Sequence, residues 1–106
     1  MKIAMGEEFS NAWAFSLALA PAALGAATIE EQEQSFSIPA GTLPTGVTLA
    51  VTDVVFVTPP SQSTSLCPTV GAHINASGQV VLHYANLTAA ANTPVTGTYL
   101  FFVVRP

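Results

Sequence analysis

The sequence predicts an all-β protein: a single small antiparallel β-sandwich, jelly-roll or immunoglobulin-like, with a short N-terminal arm. The chain has 106 residues, enough for one hydrophobic core and too few for two. From Thr28 onward, runs rich in Val, Thr, Phe and Tyr alternate with Pro, Gly and Ser segments, which is typical of short strands joined by turns. Nearer the N-terminus, large and small side chains alternate strictly. We expect an arm over residues 1–11 and a sandwich over residues 12–106.

The first expected strand covers residues 13–19, within the apolar stretch NAWAFSLALAPAALGAAT. Large side chains at odd positions alternate with Ala and Ser, which fits the period of a strand better than that of a helix. The stretch also resembles a secretory leader, because it is apolar and ends in small residues. A leader begins with a basic segment, however, and Glu7 and Glu8 cancel the charges of Lys2 and the amino terminus. We therefore predict a strand and not a signal peptide.

Two further strands are expected before the middle of the chain. QSFSIP places Phe36 and Ile38 on one face, and AGTLPTG, residues 40–46, has the composition of a turn region. VTLAVTDVVFV, residues 47–57, is predicted to be a strand that Asp53 interrupts, with a bulge near that residue as an alternative. The apolar run over residues 54–57 is typical of a strand buried on both sides.

The second half of the chain predicts a loop, a hairpin and a closing strand. TPPSQSTS, residues 58–65, is a loop because its prolines and polar tract offer no packing face. TVGAHINASGQVVLHYANLT is predicted to form a β-hairpin that turns near Ser77 and Gly78. TAAANTPVTG connects this hairpin to TYLFFVVRP, an apolar strand that Pro106 terminates.

Charged residues are scarce and unevenly placed. They make up 8% of the chain, against about 25% in an average soluble domain, and Asp53 is the only one between Gln34 and Val104. Because a free monomer normally relies on mixed surface charge, this favours a protein packed against neighbours, although charge-poor secreted β-domains are an alternative. The net charge of −4 with two basic residues argues against nucleic-acid binding. No uninterrupted apolar run reaches the length of a membrane span.

Two histidines are the first candidates for chemistry. His73 and His83 lie on the two arms of the predicted hairpin, whose turn brings them close together. A stable metal site needs a third or fourth ligand, and Asp53 and Cys67 are the candidates that no other predicted feature uses. We expect instead two neutral histidines on a polar sheet face. The sequence therefore predicts no metal ligand, no cofactor and no cofactor-binding residue.

No set of residues predicts catalysis. A serine, one histidine and Asp53 could form a nucleophile–base–acid set, but the G-x-S-x-G elbow is absent. Paired carboxylates would have to come from the cluster at residues 30–33, which equally fits a charged strand edge. Cys67, the single cysteine, excludes an intramolecular disulfide and fits a small buried residue. We therefore expect no catalytic residue and no enzyme.

Two other patterns have simple explanations. NAS at Asn75 and NLT at Asn86 match the N-glycosylation acceptor, which has meaning only in a protein secreted by a eukaryotic cell. Four aromatic residues lie within predicted strands and fit a core better than a sugar-stacking surface: Tyr84, Tyr99, Phe101 and Phe102.

Several segments together resemble small β-sandwich proteins encoded by tailed bacteriophages. LALAPAALGAATIEEQEQSFSI is similar to their first two strands, and DVVFVTPPS to the segment that follows. GAHINASGQVVLHYANLTAAANTPVTGTYLFFVVRP is similar to their C-terminal half, including the N-x-T-A-A-A turn, the G-T-Y start of a strand and the terminal V-R-P. The resemblance covers residues 12–106. The chain departs from the pattern at TGVTLAVTDVV and SQSTSLCPTVG, in or beside loops.

The resemblance implies a capsid decoration, or cement, protein or another virion surface component, without cofactor or catalytic residue. We expect such a protein to bind the major capsid protein lattice, to stabilise the head and to form a homo-oligomer, either a trimer or a dimer. Its location would be the capsid surface of the virion, after assembly in the host cytoplasm. The alternative is a phage surface or tail module that binds a host receptor or glycan in an aromatic groove near Tyr84. A third hypothesis is a small enzyme or metal protein that uses His73 and His83.

Overall fold

The computed structural model describes residues 2–3, 7–8, 11–26, 32–60 and 66–106. These residues form strands and no helix, which confirms the predicted all-β class. The strands are β1 (Lys2–Ile3), β2 (Glu7–Glu8), β3 (Asn11–Leu19), β4 (Gln32–Phe36), β5 (Val54–Thr58), β6 (Thr69–Ile74), β7 (Val80–Tyr84) and β8 (Gly97–Arg105). Within the described ranges, no helix is long and apolar enough to cross a membrane.

Six of the strands form two antiparallel sheets of three. The first sheet has the order β3–β8–β5 and the second has the order β4–β7–β6. The inward side chains of the two sheets pack into one hydrophobic cluster. The molecule is therefore a small β-sandwich, as predicted. The short strands β1 and β2 pair with each other and not with either of these sheets.

Strand β3 follows the alternation that predicted it. Its nine residues pair with all nine of β8, from Asn11 opposite Arg105 to Leu19 opposite Gly97. Its large side chains point toward the second sheet, and Leu17 and Leu19 are buried there, whereas most of its Ala and Ser side chains are exposed. The apolar stretch near the N-terminus therefore forms an integral edge strand of the sandwich.

The core is centred on two tyrosines from the middle strands of the sheets. Tyr84 of β7 and Tyr99 of β8 are both fully buried. The Tyr84 hydroxyl donates a hydrogen bond to the Tyr99 hydroxyl at 3.2 Å, and the Tyr99 hydroxyl donates to the Val95 carbonyl at 2.6 Å. These bonds satisfy polar groups whose burial would otherwise cost free energy. Burial also raises the pKa of Tyr84.

The predicted hairpin and closing strand are both present. β6 and β7 are antiparallel neighbours, and in the turn between them Gly78 has a φ of 76°, a conformation that favours glycine. A register shift between Thr69 and Gly71 places a bulge near the start of β6. β8 ends at Arg105, as predicted from the proline that follows. The predicted loop at residues 58–65 lies outside the described residues from residue 61 onward.

The segment before β5 differs from the prediction. Residues 47–50 have no regular secondary structure and residues 51–53 form a turn, so that β5 begins at Val54. The Asp53 N–H donates to the Ala50 carbonyl at 2.9 Å, and the Asp53 carboxylate accepts the Ala50 N–H at 2.8 Å. These local bonds compete with the ladder bonds of a strand. β5 is also not buried on both sides, because exposed and half-buried residues alternate along it.

Both asparagines of the N-x-[ST] matches organise turns. The Asn75 Oδ1 accepts two backbone N–H groups of the β6–β7 turn, each at 3.0 Å. Asn86 is buried, and its Nδ2 donates to the carbonyls of Gly25 at 2.6 Å and Ala90 at 2.9 Å. Asparagine is favoured at such positions because its side chain replaces backbone hydrogen-bond partners. Both asparagines therefore have a structural role in the fold.

We expect Asn86→Ala to lower the free energy of unfolding by about 2 kcal/mol, because it removes a buried amide that donates hydrogen bonds to the Gly25 and Ala90 carbonyls. It also removes the acceptor of the Thr88 N–H, which lies 3.0 Å from the Asn86 Oδ1. Urea denaturation followed by circular dichroism measures the change. Leu87→Ala is the control, since its side chain is 69% exposed and exposed substitutions usually stay within about 0.5 kcal/mol. Equal values for the two variants would contradict the role given to Asn86.

Candidate functional sites

The outward surface of the first sheet is apolar and exposed. We call it the outer face and define it by five residues: Ala14 of β3, Val54 and Phe56 of β5, and Leu100 and Phe102 of β8. Phe56 is 57% exposed and Leu100 is 55% exposed. Strand register places Ala14 and Phe56 on either side of Phe102, and the two phenyl rings lie 6.3 Å apart between centroids. The apolar side chains therefore form a continuous stripe across three strands.

The outer face carries no charge. Outward positions of its three strands hold only Ala, Ser, Thr, Val, Leu and Phe. Monomeric proteins rarely expose a contiguous apolar patch larger than a few hundred Å², and a partner that covers this one removes no ion from water. Depletion of charged residues is also typical of the centre of a protein–protein interface. The outer face thus has the composition of an interaction surface.

One aromatic residue on this face was expected elsewhere. The sequence predicts Phe102 as a core residue, but it lies on the outer face and is 36% exposed. The inward positions of β8 are taken by Tyr99, Phe101 and Val103, which are all buried. Because β8 is apolar on both faces, its hydrophobic pattern does not reveal which face is inward.

Three potential metal ligands lie together on the outward surface of the second sheet. We call them the His–His–Glu cluster: His73 of β6, His83 of β7 and Glu33 of β4. The His73 Nδ1 and the His83 Nε2 are 2.6 Å apart, and the His83 Nε2 is 3.8 Å from the Glu33 Oε1. The three ligand atoms lie within 4.8 Å of one another. The His83 side chain is 18% exposed and the Glu33 side chain 53% exposed, so the cluster is accessible from solvent.

Strand pairing brings the cluster together. Glu33 lies directly opposite His83 across the β4–β7 pair. His73 lies opposite Val81 across the β6–β7 pair, two positions along β7 from His83 and on the same face. Gly71, the residue opposite His83, adds no side chain to this surface. Three adjacent strands thus each supply one ligand from a paired backbone.

The sequence predicts the proximity of the two histidines but not their third neighbour. Asp53, one nominated ligand, instead forms an ion pair with Arg105 at 2.9 Å. Cys67, the other, is buried in the core as predicted, where desolvation raises the pKa of its thiol. Because Asp53 is held by Arg105, the nucleophile–base–acid set is not assembled either. Glu33 occupies the third position, and its exposure follows from the alternation along β4.

A cleft of about 420 Å³ lies between the loop at residues 37–49 and the β6–β7 turn. Uncharged residues such as Ile38, Thr48 and Gln79 line it, and its lining includes no aromatic side chain. Tyr84, beside which the receptor-binding alternative places an aromatic groove, is fully buried. The described part of the chain therefore does not present that groove at Tyr84.

A scan against protein-family models, a search of curated proteins and a search of solved structures each gave no match. The resemblance to phage β-sandwich proteins therefore stays a prediction from the sequence motifs. The outer face and the His–His–Glu cluster are the features of the molecule from which function is inferred below.

Proposed function

We propose that this chain is a non-enzymatic structural protein of a tailed-bacteriophage virion: a capsid cement, or decoration, protein that binds the major capsid protein lattice and stabilises the head. The observation that carries the proposal is the outer face, which is apolar, exposed and uncharged. The sequence motifs supply the phage context, and the outer face supplies a means of attachment.

Attachment follows from the burial of the outer face against coat protein. Phe56 and Leu100 are each more than half exposed, and both lose their contact with water when a partner covers them. Complete burial of one such side chain contributes about 1.5–3 kcal/mol. The outward side chains of β3 are only Ala and Ser, so the larger Phe56 and Leu100 side chains of the neighbouring strands stay exposed, as anchors of an interface commonly are. A few such anchors commonly carry most of the binding energy of an interface.

Several copies acting together strengthen the attachment. In this proposal the chain is a homo-oligomer, a trimer or a dimer, so that each assembly contacts several coat subunits at once. Dissociation then requires all contacts to break together. The N-terminal arm, whose strands β1 and β2 pair with neither sheet of the sandwich, reaches a neighbouring molecule. The coat lattice is thereby linked across its subunit boundaries.

The test is binding to particles assembled from coat protein alone. We expect the wild-type chain to co-sediment with these particles and to saturate at a fixed ratio to coat protein. The double variant Phe56→Ser, Phe102→Ser removes both phenyl rings from the outer face. We expect it to bind at least about tenfold more weakly, the effect of losing roughly 1.4 kcal/mol.

The matched control is Leu87→Ser, which removes a more exposed apolar side chain that is not on the outer face. We expect this variant to bind as the wild type does, with thermal unfolding confirming that all variants are folded. Absence of the chain from intact virions would contradict the proposed function. Equal binding by the double variant and the wild type would contradict the role of the outer face.

A further inference from the structure

We propose that Glu33, His73 and His83 bind one divalent transition-metal ion, of which Zn²⁺ is the reference, on the outward surface of the second sheet. The cluster is a different surface from the outer face of the first sheet. The proposal therefore does not depend on the proposed function, and it departs from the expectation that the histidines have no ligand role.

The chemistry of the donor atoms selects the class of ion. Two imidazole nitrogens and one carboxylate oxygen suit Zn²⁺ and its transition-metal neighbours Co²⁺, Ni²⁺ and Cu²⁺. Mg²⁺ and Ca²⁺ prefer sites made entirely of oxygen ligands. Three protein ligands leave a fourth tetrahedral position for water, and the exposure of Glu33 gives that position access to solvent.

The distances are close to those of a tetrahedral site. Zn–N bonds of 2.0–2.1 Å place neighbouring ligand atoms about 3.3 Å apart. The His73 Nδ1 and the His83 Nε2 are closer than this, at 2.6 Å, and the Glu33 Oε1 is slightly farther from the His83 Nε2, at 3.8 Å. These two separations each need to change by less than about 1 Å, and all three ligand atoms already lie within 4.8 Å of one another, a range that side-chain rotations accommodate. The backbones of the three paired strands can therefore stay in place.

The His73 Nδ1 and the His83 Nε2 lie too close together for both to be unprotonated. Two unprotonated imidazole nitrogens would oppose their lone pairs, so at 2.6 Å a proton must lie between the His73 Nδ1 and the His83 Nε2. A metal ion takes the place of that proton and accepts both lone pairs. The Glu33 carboxylate beside them supplies negative charge that offsets part of the charge of the ion.

The first test uses the wild-type chain and its two histidines, the only ones it contains. Long-range ¹H–¹⁵N spectra of both imidazoles are recorded during titration with ZnCl₂. We expect the His73 Nδ1 and the His83 Nε2 to shift together and to saturate at one ion per chain, while MgCl₂ leaves both unchanged. Unchanged imidazole nitrogens in excess ZnCl₂, or no saturation at one equivalent, would show that the cluster is only a structural hydrogen-bonded group and would overturn the proposal.

The second test removes the ligands one at a time and measures Zn²⁺ affinity by competition with a chromophoric chelator. His73→Ala and His83→Ala should each weaken binding by more than about a hundredfold, because even outer-shell partners of a metal contribute 10–100-fold. Glu33→Gln, which keeps the side-chain shape, should weaken binding about tenfold. Wild-type affinity in all three variants would overturn the proposal. The titration of the wild type decides the question should a histidine variant not fold.

Two control variants separate this cluster from other zinc ligands. Ser35→Ala changes an exposed residue two positions along β4 from Glu33, on the same surface, and should bind Zn²⁺ as the wild type does. Cys67→Ser removes the only thiol of the chain and should also retain wild-type affinity. Loss of binding in Cys67→Ser would assign the ion to the thiol and overturn the proposal.

Discussion

Removal of residues 1–19 is expected to abolish folding, whereas removal of residues 1–10 is expected to leave the sandwich intact. The longer truncation deletes β3, so that β8 loses one of its two ladder partners, the one that pairs along all nine of its residues. It also takes Leu17 and Leu19 out of the core and uncovers Phe101, which stacks on Phe15 at a centroid distance of 5.3 Å. The shorter truncation removes only the arm, whose strands pair with neither sheet.

The stability lost with β3 is comparable to the whole stability of a domain of this length. Each buried leucine contributes about 1.5–3 kcal/mol, to which the aromatic stacking and the ladder add, and a small domain is stable by only about 5–15 kcal/mol. Near-ultraviolet circular dichroism and the dispersion of amide resonances distinguish folded from unfolded chains. A cooperative thermal transition in the chain that lacks residues 1–19 would show that β3 is an appendage and not part of the sandwich.

Arg105→Met is expected to destabilise the protein more than the loss of an exposed ion pair does, because Asp53, the partner of Arg105, is buried. The Asp53 side chain is completely buried, and its two carboxylate oxygens accept hydrogen bonds from the Arg105 Nε and Nη2, each at 2.9 Å. Arg105 also donates to the Thr48 carbonyl at 2.8 Å. The substitution leaves the carboxylate without its cation and Thr48 without this donor. Chemical denaturation measures the loss.

A double-mutant cycle with Asp53→Asn checks this explanation. Because both substitutions break the same interaction, the double variant should be less destabilised than the sum of the two single variants, by at least about 1 kcal/mol. Strict additivity would mean that the two residues stabilise the fold independently, and the ion pair would then not explain the effect of Arg105→Met.

The same ion pair makes stability depend on pH. The hydrogen bond from Arg105 holds the pKa of Asp53 below its ordinary value, against the opposing effect of desolvation. A carboxyl group whose pKa is lower in the folded chain stabilises it above the unfolded value, about 3.9, and this contribution is lost as the pH falls through the folded value. The wild type should therefore lose stability below about pH 4, and Asp53→Asn should lose less. Parallel profiles for the two proteins would contradict this assignment.

Most of the strands were predictable, because the spacing of apolar residues and of turn residues along a short segment determines where a strand begins and ends. The alternation in β3 and the turn residues between β6 and β7 are properties of neighbouring residues. The turn at residues 51–53 combines local hydrogen bonds between Ala50 and Asp53 with a longer-range contact. Asp53 is held there by Arg105, 52 positions away in sequence, and no pattern within residues 47–57 contains that information. The alternating apolar residues at 47–51 therefore predict a strand that the fold does not form.

The candidate sites, too, were predictable only where neighbouring residues determine them. His73 and His83 are close because a single turn joins their strands, and this was predictable. Glu33 joins them only because β4 pairs with β7, a choice of neighbour that spans about half the chain. The scarcity of charge predicted an interaction surface but not its position, since β8 is apolar on both faces and its alternation does not identify the inward side.

The position of the only tryptophan gives the protein an internal optical reporter. Trp13 lies half-buried on β3, and the Arg105 guanidinium is 4.8 Å from the centre of its ring. Its emission therefore depends on one junction, where the edge strand, the end of β8 and the ion pair with Asp53 meet. Loosening of this junction, by truncation, by substitution or by acid, changes the surroundings of a single indole. Fluorescence can thus follow the opening of the sandwich without any attached label.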